Sequence, residues 1–183
     1  MNTLIIHPKD KSTSFLDIVY TPIPNKTVIT GGISKDDLKS EMKNYDRIMM
    51  MGHGTPFGLF SIGQFKDSYG YIIDMSFVEI LKEKKDNVFI WCNADQFVNK
   101  YKLKGFYSGM FISEVGEANY CGLPGTKQRV VDESNFGFCH ILSEYINENS
   151  EVIYNNVMTE YGIIAKDNPV AYYNHNRLYL NTI

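Results

Sequence analysis

Apolar residues fall along this chain in two rhythms. Short apolar or β-branched runs at 3–6, 26–30, 47–52 and 87–91 read as strands, and 106–112 reads as a further one. Between them lie stretches with helical spacing. Residues 35–44 place Leu38 and Met42 one turn apart, and Ser34 with Asp37 forms a capping pattern. Residues 74–84 carry Phe77, Ile80 and Leu81 on one face. Residues 132–147 carry Phe136, Cys139, Ile141, Leu142 and Tyr145, with Asp132 or Ser134 as the cap. Helices are also expected over 93–100 and 151–160, and residues 15–20 read as a helix or a short strand, with helix preferred. Glycine-rich loops are expected over 53–70, with room for a small hairpin, and over 114–125. Residues 170–180 read as a strand or terminal hairpin. Strands that alternate with helices predict an α/β fold with a mostly parallel central sheet and right-handed crossovers.

Composition narrows the class. The 183 residues suit one domain over 1–183, and 44% hydrophobic with 21% charged residues is ordinary for a globular chain. A net charge of −3 with scattered Lys and Arg gives no nucleic-acid footprint. No apolar run approaches a membrane span, and the N-terminus shows no secretory signal. Cys92, Cys121 and Cys139 lack metal-ligand spacing, as do the four histidines, so no metal is expected. Reduced thiols fit a cytoplasmic protein.

Two words carry the chemistry. Arg47-Ile48-Met49-Met50-Met51-Gly52-His53-Gly54 and Asn87-Val88-Phe89-Ile90-Trp91-Cys92-Asn93 each end a buried strand on a reactive side chain. One loop and one crossover helix separate them, which is what joins adjacent parallel strands. Both groups would then emerge at the sheet edge where open α/β sheets bind ligands. A thiol beside an imidazole is a nucleophile with its base. Cys92 near a helix start would be biased toward thiolate by the helix dipole. The backbone N–H groups of Gly54 and Cys92 are candidates for the oxyanion hole. The plain alternative is that Cys92 is core filler and His53 a strand-end histidine. Cys139 reads as packing.

The chain resembles the caspase-like cysteine peptidases: caspases, metacaspases, gingipain- and clostripain-type enzymes and CHAT proteases. There an apolar strand ends in His-Gly and a later one in the nucleophilic Cys, matched here by Ile48 to Gly54 and Val88 to Cys92. The resemblance implies a three-layer caspase-like sandwich, a Cys92–His53 dyad, a peptide or protein substrate and no cofactor. Ile90 stands where those families carry a polar pocket residue, and bulky Trp91 stands where a small residue is usual. Asp10 lies where the family often places pocket residues. Asp95, Glu114, Glu117 and Asp132 are the other acids near the expected site, and a buried one would pair with a basic substrate side chain. No third triad member is evident. Two rivals remain: an amidohydrolase acting on small amides, and an inactive interaction domain. Gly31-Gly32-Ile33-Ser34-Lys35 fits neither nucleotide-binding spacing.

Overall fold

Four consecutive buried residues, Thr3–Ile6, form β1, and the chain builds its sheet outward from it in both directions. The computed structural model describes residues 1–183. β1 pairs in parallel with β2 (Lys26–Ile29) on one side and β3 (Arg47–Met51) on the other. β7 (Asn87–Ile90) and β8 (Gly105–Ser108) continue in parallel beyond β3, and β9 (Leu178–Asn181) closes the far edge antiparallel to β8. The order is β2-β1-β3-β7-β8-β9. The direction of winding reverses between β1 and β3, so the loops after those strands part at a topological switch point.

The apolar runs without polar alternation are covered on both faces, as the sequence predicts. Ile48 and Met50 of β3 and Phe89 of β7 join one core cluster, while Met49, Met51, Val88 and Ile90 join the other. The first cluster is roofed by α2 (Lys35–Met42), α3 (Val78–Lys82) and α4 (Ala94–Tyr101). The second takes residues from α1 (Asp17–Tyr20), α6 (Gln128–Tyr145), α7 (Ser150–Ile164) and α8 (Pro169–His175). The result is a mostly parallel sheet between two helical layers. No helix is long and apolar enough to cross a membrane.

The small hairpin allowed for within 53–70 is β4 (Gly54–Thr55) with β5 (Gly58–Phe60), and with β6 (Tyr71–Ile73) it makes a separate three-stranded antiparallel sheet. Other local expectations need correction. The loop at 114–125 contains α5 (Val115–Tyr120), whose third residue, Glu117, reaches back to the Glu114 N–H at 3.2 Å. α6 begins at Gln128, so Asp132 and Ser134 are interior residues and not its cap; Ser134 bonds the Tyr161 hydroxyl. The stretch at 170–180 is mainly α8, capped by Asn168 with Pro169 at its start, before β9. The strand expected over 106–112 ends at Ser108.

Candidate active site

Register sets the site. Met51 of β3 pairs with Ile90 of β7, and both side chains lie on the α6 face of the sheet. Two residues on from each pair member come His53 and Cys92, in the same alternation phase. Both line one cavity of about 20 Å³, with Thr13, Phe15, Trp91 and Phe111 among its walls. That volume holds about one water. Gly52 turns the chain out of β3 with φ +138°, a conformation closed to most L-residues.

The imidazole is held from the loop after β1. His53 Nε2 lies 3.1 Å from Asp10 Oδ2 and 2.8 Å from Ser12 Oγ. Asp10 Oδ1 in turn accepts from Ser12 N and Oγ and from Thr13 N and Oγ1, at 2.8–3.1 Å. The Ser12 hydroxyl hydrogen is given to Asp10, and a carboxylate only accepts. Nε2 therefore carries the imidazole proton, leaving Nδ1 as the basic nitrogen. Burial works against charge on Asp10, but the bonds from Ser12 and Thr13 and the adjacent His53 outweigh it and hold its carboxyl below the usual range. Asp10, expected in a substrate pocket, stands against the imidazole and is hydrogen-bonded within its own turn. The signal was present: Asp followed by Lys-Ser-Thr is an Asx-turn pattern just past a strand.

Cys92 contradicts the expectation of a thiolate. It precedes α4 by two residues, and between them Asn93 takes a left-handed conformation (φ 65°). Its Sγ donates to the Phe111 carbonyl (3.5 Å) and approaches Glu117 Oε1 (3.7 Å). Burial first, and the Glu117 charge second, push the thiol up to about 12. The resting group is a protonated thiol.

The expected substrate carboxylates separate. Glu117 is spent internally: besides Cys92 and the Glu114 N–H, it accepts from Ser113 N (2.7 Å) and Oγ (2.9 Å), so it offers no open charge to a substrate. Asp95 stands in the first turn of α4 but is not among the residues lining the Cys92–His53 cavity; its carboxyl faces Gly109, and burial raises its pKa. Glu114 and Asp132 line a neighbouring groove that shares Phe15 and Ser113 with the cavity.

Gly54 and Trp91 are fitted to each other. A Cβ on Gly54 would stand 2.2 Å from Trp91 Cδ1 and 2.6 Å from the Gly58 carbonyl. The indole is 1% exposed, lies edge-on to Phe89 and Phe97, and donates from Nε1 to the Thr55 carbonyl at 3.1 Å. Its bulk is thus largely absorbed under the small sheet. The Phe60 N–H donates to the His53 carbonyl, which makes Gly54–Leu59 a non-hydrogen-bonded pair and turns the Gly54 N–H away from β5. The Cys92 N–H makes no backbone hydrogen bond. Both candidate oxyanion donors are therefore unclaimed by their strand partners.

Cys139 is fully buried in the core with its thiol pushed upward by burial, in keeping with packing. No protein-family model matches the chain, and no curated protein matches it in sequence.

Proposed function

We propose that this chain is a caspase-like cysteine peptidase that cleaves peptide bonds through a thioester. Cys92 is the nucleophile, His53 the general base and acid, and Asp10 a positioning residue. The observation that carries this reading is the register of β3 and β7, which brings the imidazole and the thiol out at one edge, on one cavity, with the imidazole already tethered to a carboxylate. Nδ1 takes the thiol proton as sulfur attacks the carbonyl carbon. The oxyanion is received by the N–H groups of Gly54 and Cys92. The imidazolium then protonates the leaving amine, and the same imidazole activates water to hydrolyse the thioester.

Because the thiol rests against Glu117 in a cavity of about 20 Å³, attack requires α5 to give way first. These two observations also favour a second reading, an interaction domain that keeps the fold without turnover. A library of fluorogenic peptides separates the two. Turnover lost in Cys92→Ala and in His53→Ala supports the peptidase; a library left uncleaved by the wild type supports the interaction domain.

A further inference from the structure

A second thiol stands on the helix that meets Cys92. Glu117 of α5 brings its Oε1 to 3.7 Å from the Cys92 Sγ. Cys121 follows Glu117 by four residues and ends α5, its N–H donating to the Glu117 carbonyl at 2.8 Å. Residues spaced this way are neighbours on one helical face, with Cβ atoms about 5–6 Å apart. The side chain one turn along from the one that touches Cys92 is therefore a thiol. Behind burial and Glu117, Cys121 is a further cause of the raised Cys92 pKa. Tyr173 of α8 marks the same closeness from another side. Burial raises its hydroxyl pKa first, followed by a hydrogen bond to Cys121 and by charge on Cys121 and on Cys92. Cys121 is half-buried, whereas Cys139 is sealed in the core.

We propose that Cys92 and Cys121 form a reversible disulfide that shuts the site under oxidising conditions. The co-reactant is a hydroperoxide. Cys92 rests as a protonated thiol on a cavity of about 20 Å³, so Cys121 meets the peroxide first. Its sulfur attacks one peroxide oxygen, the O–O bond breaks, and the other oxygen leaves as an alcohol or water; Cys121 becomes a sulfenic acid. The Cys92 sulfur then attacks the Cys121 sulfur, and the sulfenic hydroxyl leaves as water with the Cys92 proton. Two thiols give up two electrons and two hydrogens, and the peroxide takes both. A disulfide needs its two Cα atoms within about 7 Å. α5 can meet that demand, because it is a six-residue helix between loops and is the element whose movement attack already calls for. Once bonded, it stays over the sulfur until a dithiol releases it by exchange. The bond itself is independent of the peptidase reading; only its effect on turnover rests on that reading.

The test exposes the full-length protein to hydrogen peroxide, blocks free thiols in denaturant, and maps tryptic fragments without reductant. Fragments 86–100 and 105–127 carry Cys92 and Cys121 separately, so a link between them is seen on the wild type without recourse to a variant. The expected result is that linked pair, an intact monomer about 2 Da lighter through loss of two hydrogens, and full recovery of both thiols with dithiothreitol. Cys121→Ser and Cys121→Ala should give no lighter monomer. No linked pair, a link made to Cys139, links only between chains, or a lighter monomer that persists in both variants would overturn the proposal. A linked pair in a protein whose reduced form no peptide electrophile captures at Cys92 would retain the disulfide and reject the peptidase; capture without a linked pair would do the reverse.

Discussion

The Cys92 sulfur sits 3.7 Å from a Glu117 carboxylate oxygen that also receives no bond from the Ser113 and Glu114 amides, which go to its other oxygen. One acid thus caps α5 with Oε2 and guards the thiol with Oε1. Glu117→Gln keeps the capping geometry, since Gln serves at the third helical position as Glu does. It removes the like charge beside the sulfur while leaving burial intact. The thiol pKa falls from about 12, and iodoacetamide alkylation of Cys92 at pH 8 speeds up several-fold. An unchanged rate would mean that burial alone holds the thiol protonated.

The Asp10–His53 contact sets a second expectation. Asp10→Asn leaves a group of similar shape but removes the charge that fixes the Nε2–H tautomer. On a cleaved peptide kcat drops by on the order of 100-fold with little change in KM, the split expected when proton transfer and not binding is lost. A change confined to KM would place Asp10 in substrate binding after all.

Much of this arrangement was legible in the sequence. The two strand words place His53 and Cys92 because each unbroken apolar run forms a strand covered on both faces, and the reactive residue follows directly after it. The helix phase of Leu38 and Met42 and the Ser34 cap, whose Oγ accepts from the Asp37 N–H at 3.1 Å, follow from local rules alone. What local rules missed is tertiary. Asp10 acts through a turn that matters only because β1 and β3 are neighbours. Glu117 reads as a solvated acid until α5 folds back over Cys92. Residues 170–180 are rich in tyrosine and looked extended, but Asn168 and Pro169 start a helix that packs on α6 and α7.

Gly54 tests the fit of the small sheet against the large one. Gly54→Ala drives a methyl into the indole of Trp91, and overpacking of this kind costs about 1–3 kcal/mol. A lowered melting temperature, recovered in part by Trp91→Leu in the same chain, is the expected outcome of thermal denaturation. Equal melting temperatures for Gly54→Ala and wild type would show that the indole is free to move aside.

His7 supplies a pH dependence of stability. It is fully buried at the end of β1, its Nδ1 3.2 Å from the Tyr20 hydroxyl and its Nε2 unpartnered. Burial, only partly offset by Asp17, lowers its pKa from 6.5 to about 4. The unfolded chain therefore binds a proton below pH 6.5 that the folded chain refuses until about pH 4. Stability is full above 6.5, falls through that window, and loses about 3 kcal/mol in all from this group. Urea denaturation at pH 7 and pH 4.5 should show the loss, and His7→Gln should remove much of it.

The central claim is that Cys92 and His53 act as one unit, and covalent capture tests it most directly. A peptide acyloxymethyl ketone is incubated with wild type, Cys92→Ala and His53→Ala, and intact mass is read over time. One adduct on wild type, none on Cys92→Ala and a rate at least 100-fold lower on His53→Ala is the expected pattern for a thiol activated by its base. An adduct that persists in Cys92→Ala, or that forms on His53→Ala at the wild-type rate, would contradict it.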